Sequence, residues 1–267
     1  MRLAASLSRL LRLSLMGAGL VLPAFGAGAD PIRVGVTAGP HAEVLDVVKK
    51  VAAKRGIDIE VIEFTDYVVP NQALANKELN ANSFQHEPYL KNQVSRTGWK
   101  IVKVADTIAS PQGIYSVKYK SFDAIPAGAT IAIQNDPSNA ARSLQILEFN
   151  GIIKLRPGAG VSATEIDIVD NPRKLKFIQL DAAQLPRALP DVDAASINNN
   201  YAVQAGLKPA KDALIREPVN GPWVNILAVR EEDKDKSWVK DLIAAYHSDE
   251  VKVFLAERFQ GSYLPTW

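Results

Sequence analysis

From Ile32 onward the hydrophobic positions follow two alternating rhythms. Ile32, Val34 and Val36 recur at every second residue, which predicts a strand over 32–36. Val44, Leu45, Val48 and Val51 then fall on one side of a helix predicted over 42–53. Ile57, Ile59 and Val61 restore the alternation over 57–64. Pro70 suits the first turn of a further helix. Another helix is predicted from Glu87 to about Val94, and 100–105 reads as a strand. A strand–helix–strand order of this kind predicts a mainly parallel sheet covered by helices.

The rhythm restarts at 129–133. Asn135-Asp136-Pro137-Ser138 marks a helix start, with Asp136 as the cap and Pro137 in the first turn. That helix runs to about Phe149 and stops at Asn150-Gly151. Segments 175–180 and 194–198 read as strands, and the apolar run 223–229 as a last one. Two helices, 237–246 and 249–259, close the chain. No repeat and no Pro- or Ser-rich linker separates the two series. Two α/β lobes joined by strands are therefore expected, with a cleft between them, and such clefts are favoured ligand sites.

The first thirty residues follow neither rhythm. Arg2, Arg9 and Arg12 precede an apolar stretch from Leu13 to Phe25, and Ala27-Gly28-Ala29 fits a signal-peptidase site. Residues 1–29 are read as a signal peptide cut near Ala29; a retained anchor is the alternative, but the stretch is short against the roughly 20 residues of a span. The remainder, with 47% hydrophobic and 22% charged residues over the whole chain, has the composition of a soluble globular protein. Losing three arginines takes the formal charge from +2 to −1, and no basic stripe points to nucleic acid. With no cysteine, the sequence offers no disulfide, thiolate metal site, Cys nucleophile or Cys-linked lipid anchor.

Chemistry concentrates in a few segments. Phe84, His86 and Tyr89 crowd into six positions just after a short predicted strand, and Tyr67 sits in the turn Asp66–Asn71 after another. Strand ends are where α/β sheets place ligands. Rings with polar tips there can wall an apolar slot, or simply pack beneath loops. Arg142 leans back toward the helix start near Asp136, where its fork can grip a carboxylate in two prongs or pair with Asp136. Asn198-Asn199-Asn200-Tyr201 fits an ordinary turn. Asn225 lies inside an apolar run, and a buried amide needs a partner, whether ligand or backbone. His41 reads as a helix-start residue, His247 as a surface residue and Arg187 as structural. The sequence holds no His-x-x-x-His pair, nucleophile elbow or phosphate loop, so neither catalysis nor a cofactor is expected.

Together these segments resemble the NlpA family of solute-binding proteins. The resemblance is carried, in family order, by Val34–His41, the Asp66-Tyr67…Pro70-Asn71 turn, Ala81–Leu90 with its specific Phe-Gln-His-Glu-Pro-Tyr, Asn135–Asn139, Gln184–Arg187, Ile197–Ala202 and Pro222–Asn225. It implies an α/β, two-lobed periplasmic-binding-protein fold (type II-like) with the ligand cleft between lobes. Lobe one would comprise 30–110 and 226–267, and lobe two 111–225. It further implies that Tyr67, Phe84, His86 and Tyr89 line a thioether slot and that Arg142 takes an amino-acid carboxylate. Asn139, Asn198 and Asn225 would add polar contacts.

The implied function is capture of L-methionine or a close analogue for an inner-membrane ABC permease, by a monomer without a cofactor. D-methionine, a methionine-containing dipeptide or another apolar amino acid are the alternatives. A more distant one is an exported enzyme using His86 and a carboxylate such as Glu87. Replacing Arg142 by Ala is expected to weaken binding tenfold or more with the fold intact. Four departures stand out. Relatives often carry Asp, Val and Tyr where Asn80, Ser196 and Trp223 stand, and Trp223 is close enough to Asn225 to alter the pocket rim. Many relatives carry a lipidated Cys; its absence leads to the expectation of a soluble periplasmic protein with no lipid anchor.

Overall fold

The computed structural model describes residues 30–219 and 221–267, so the leader read in 1–29 lies outside the described residues. Two five-stranded sheets carry the fold. In the first, the order is Ile59–Phe64, Ile32–Thr37, Ala81–Asn82, Ile226–Arg230, Ile101–Asp106. In the second it is Lys176–Leu180, Thr130–Gln134, Ala194–Ile197, Gly113–Tyr115, Ile215–Arg216.

The two sheets share one plan. Their first three strands run parallel, and the fourth runs antiparallel to both of its neighbours. The sheets are thus mixed, not mainly parallel as the strand–helix rhythm predicts. The reason is the path of the chain. Gly113–Tyr115 enters the second sheet directly after the chain leaves the first, and Ile226–Arg230 returns to the first sheet after the second is complete. Neither is delivered by the helical crossover that parallel pairing requires. The chain passes between the sheets at 107–112 and again at 217–225. Leu264–Pro265 adds a third tie by pairing with Ile108–Ala109 on the first passage.

Helix Pro40–Ala53 buries Val44, Leu45, Val48 and Val51, the stripe its spacing predicts, against Val34 and Val36 and against Leu242, Val251 and Leu255 of the closing helices. Each such burial is worth about 1.5–3 kcal/mol. Helix Pro137–Phe149 does the same in the second core, setting Leu144 and Leu147 on Ile131 and Ile133. The closing helices occupy Ser237–Tyr246 and Asp249–Phe259. The last strand starts at Ile226 rather than 223, because Trp223 to Asn225 form the approach to it. The helix from Glu87 continues to Thr97, where Gly98 at φ 74° ends it. Among the described residues no helix is long and apolar enough to cross a membrane.

Candidate functional site

The segments that leave the parallel strands of both sheets meet at one cavity. His41 follows Ile32–Thr37, Tyr67 follows Ile59–Phe64, and Phe84, His86 and Tyr89 follow Ala81–Asn82. From the second sheet, Asn139 and Arg142 follow Thr130–Gln134, and Asn198 to Asn200 follow Ala194–Ile197. All of these residues line the cavity, as does Asn225 at the return passage. The structure therefore gathers all eight residues singled out by the sequence, from both sheets, around one space.

The first sheet supplies an aromatic wall. The ring of Tyr67 lies 6.0 Å from Phe84 and 6.2 Å from Tyr89, centre to centre, and Phe84 lies 6.1 Å from Tyr89. These are edge or tilted contacts, the arrangement aromatic pairs prefer. A buried amide cluster fixes the wall from behind. Asn82 Nδ2 donates to Asn71 Oδ1 at 2.9 Å, Asn71 Nδ2 donates to Gln85 Oε1 at 2.8 Å, and Gln85 Nε2 donates back to Asn71 Oδ1 at 2.7 Å. The turn that carries Tyr67 is thereby pinned to the loop that carries Phe84.

The second sheet supplies polar groups. Asp136 caps its helix by accepting from the Asn139 N–H at 2.9 Å, and its other oxygen accepts from Asn139 Nδ2 at 2.9 Å. Asn139 Oδ1 is left facing the wall, where it accepts from Asn198 Nδ2 at 2.9 Å and lies 3.2 Å from His86 Nε2. His86 Nδ1 accepts from the Tyr89 N–H at 3.1 Å, so the ring proton sits on Nε2 and donates to Asn139. His41 has the opposite tautomer. Its Nε2 accepts from Asn225 Nδ2 at 2.8 Å, which leaves Nδ1–H to donate to Thr37 Oγ1 at 2.8 Å. Burial lowers the pKa of His41 to about 4. Burial, helped by the positive charge of Arg142, lowers that of His86 to about 3. Both rings are neutral at neutral pH.

Arg142 is not paired with Asp136. Its Nε donates to Glu217 Oε2 at 2.9 Å, Nη2 donates to Glu217 Oε1, and Nη2 also donates to Ser110 O at 3.1 Å. The two-pronged grip that the sequence reserves for a ligand is thus engaged by a protein carboxylate. Nη1 has no protein partner among the described residues. The Trp223 ring lies 5.5 Å from the guanidinium and 5.0 Å from the His86 ring, so Trp223 backs the site between two of its polar groups.

His41, Asn199, Asn200 and Glu217 are the residues the sequence reading misses. The asparagine run is more than a turn: Asn199 and Asn200 are buried, and among the described residues Asn199 Oδ1 and Asn200 Nδ2 have no hydrogen-bond partner. Three asparagines at one strand end were the available signal. Glu217 gave none, because it follows the two-residue strand Ile215–Arg216, too short to show periodicity. His247 is part-buried, stacked 4.7 Å from Trp267. A hollow of about 780 Å³ is an open groove at the rim. Its charges satisfy one another, with Glu87 held by Lys91 and Lys103 and Asp106 by Lys103, so it offers no comparable set of free groups. Among the described residues no cluster of His, Asp and Glu is arranged to hold a metal ion.

The profile of the NlpA lipoprotein family matches residues 32–267. The chain belongs to the NlpA lipoprotein family. It is 44% identical over 243 residues to a protein of Escherichia coli (strain K12) named D-methionine-binding lipoprotein MetQ, covering 89% of this chain and 90% of that one. Among solved structures, a nutrient binding protein from Burkholderia cenocepacia bound to methionine superposes with a TM-score of 0.86 at 53% identity, covering 88% of this chain and all of that one. A periplasmic substrate-binding protein of an ABC transporter from Coxiella burnetii superposes with a TM-score of 0.85 at 46% identity, covering 88% and 99%. The two-lobed periplasmic-binding-protein fold is thus the fold of this chain, and the three relatives named here are binding proteins. One expectation is corrected. The sequence reading has the protein free in the periplasm without a lipid anchor, on the cysteine count alone. The family and its relatives are lipoproteins by name, which runs against that expectation.

Proposed function

We propose that this member of the NlpA family captures methionine as a zwitterion between two lobes and hands it to an inner-membrane ABC permease. The observation that carries this reading is the joint cavity, in which the aromatic wall of one sheet faces Arg142 and four asparagines of the other. The names of the relatives support the choice of ligand: the E. coli protein is named for D-methionine, and the B. cenocepacia structure is described as bound to methionine.

In this reading lobe one, 30–110 with 226–267, offers Tyr67, Phe84, His86 and Tyr89 to the thioether chain. Lobe two, 111–225, offers Nη1 of Arg142 to the carboxylate, with Asn139 and Asn198 beside it. Asn225 contributes from the junction. Asn200 Nδ2 and Asn199 Oδ1, a donor and an acceptor without partners among the described residues, match the two ends of a zwitterion. Burying the side chain contributes about 1.5–3 kcal/mol, and each hydrogen bond to a charged group about 1.5–3 kcal/mol. A ligand that touches both lobes binds the closed arrangement better than the open one and so shifts the population toward it. The permease would read that closed form of a monomer. No covalent bond breaks and no cofactor takes part.

Titration calorimetry with L-methionine, D-methionine and glycine, followed by mass spectrometry of the mixtures, tests the reading. One or both methionine enantiomers bind far more tightly than glycine and are recovered unchanged. Lack of binding by either enantiomer at millimolar concentration, or a reaction product, overturns it.

A further inference from the structure

Glu217 is the charged residue behind the site that the proposed function does not use. It is buried, and its carboxylate accepts from the Gln112 N–H at 2.7 Å, from Arg142 Nε at 2.9 Å and from Arg142 Nη2. Its own N–H donates to Gln112 O at 3.1 Å, so backbone bonds on the passage between sheets fix its place. Of the side chains lining the cavity, Arg142 alone is charged. His41 and His86 are held neutral by burial, and burial raises the phenols of Tyr67 and Tyr89, keeping them protonated. Asp136 stands further back, with its oxygens taken by Ser138 and Asn139.

From this arrangement we infer that Glu217 is a specificity-determining residue: it cancels the charge of Arg142 so that the cavity accepts a zwitterion and rejects the corresponding anion. The inference rests on reading the cavity as an amino-acid site. With Arg142 and Glu217 both present, a bound zwitterion leaves no net buried charge, whereas a carboxylate lacking the ammonium leaves one uncompensated negative charge. With Arg142 alone the order reverses. An unbalanced buried charge is costly, so the difference decides which ligand enters.

The test compares methionine with 4-(methylthio)butanoate, the same chain without the ammonium, by calorimetry on the wild type and Glu217→Gln. The wild type prefers methionine at least 100-fold, and in Glu217→Gln that ratio falls at least tenfold. Glu217→Asp, which keeps the charge but shortens the reach, weakens methionine while leaving the ratio at the wild-type value. A ratio unchanged within threefold in Glu217→Gln, or equally altered in Glu217→Asp, overturns the inference. A measurement on the wild type alone covers the case of a variant that does not fold. Above the pKa of the ligand's own ammonium, the Kd for methionine weakens tenfold per pH unit; a flat or tightening Kd overturns the inference. Wild-type protein that binds neither compound rejects the amino-acid site itself, which is distinct from methionine binding with an unchanged ratio.

Discussion

The Tyr67 phenol donates to Asn200 Oδ1 at 2.5 Å, joining two residues 133 positions apart that leave strands of different sheets. The backbone of Tyr67 is held as well, where Tyr89 Oη donates to the Tyr67 carbonyl at 2.8 Å. Tyr67 is thus both part of the aromatic wall and a latch across the cavity. Replacing it by Phe keeps the ring and removes the latch, leaving Asn200 Oδ1 buried without a donor. Such a loss costs about 1–3 kcal/mol. The expected result is methionine affinity reduced by about tenfold or more, mainly through faster release. Calorimetry with stopped-flow dissociation measures both; unchanged affinity and release would remove the latch from the account.

The two buried histidines make stability depend on pH. In the unfolded chain His41 and His86 take up protons below about 6.5. Folded, they resist protonation until about 4 and about 3. Between those limits the unfolded state binds more protons, so stability rises with pH and is lost as pH falls. The loss approaches about 1.4 kcal/mol per pH unit for each histidine. Urea denaturation at intervals from pH 7 to pH 4 should show it. His86→Gln should reduce the slope over the same window, and a slope equal to wild type would show that His86 does not titrate there.

Long elements were legible in the sequence and short ones were not. Helix 137–149 reads off from Asp136-Pro137 and Asn150-Gly151, and helices 237–246 and 249–259 from their spacing, because each spans several turns. The strands Gly113–Tyr115 and Ile215–Arg216 span two or three residues, less than two periods of alternation, and exist through pairing with partners distant in sequence. The parallel pairing of the first three strands in each sheet followed from rhythm; the antiparallel return of Ile226–Arg230 is a property of the whole chain path. At the site, rings crowded at strand ends marked Tyr67, Phe84, His86 and Tyr89. Glu217 could not be found that way, since nothing local ties it to Arg142, 75 positions earlier.

Phe84 should discriminate between ligands by side chain. It is buried against Tyr67 and Tyr89, and its truncation to Ala costs about 3–5 kcal/mol of stability. Phe84→Leu is the gentler probe, keeping the volume filled while removing the flat face. Methionine affinity should fall about tenfold in Phe84→Leu and further in Phe84→Ala, while binding of glycine, which has no side chain to place in the slot, should change little. Calorimetric comparison of the two ligands measures this; equal losses would argue against a side-chain slot at Phe84.

Arg142 should report on structure and binding at once, and the two can be separated. The sequence alone leads to the expectation that Arg142→Ala spares the fold. The pairing with Glu217 changes that, because both partners are buried and removal of one leaves the other charge uncompensated. Breaking a buried pair this way costs about 3–5 kcal/mol. Arg142→Ala should therefore lower the denaturation midpoint strongly as well as abolish tight binding. Replacing both partners by apolar residues, as in Arg142→Met with Glu217→Leu, removes the stranded charge and is often near neutral for stability. The double variant should recover most of the lost stability and none of the methionine affinity. If it recovers both, Arg142 serves the fold alone and the ligand's carboxylate is held elsewhere.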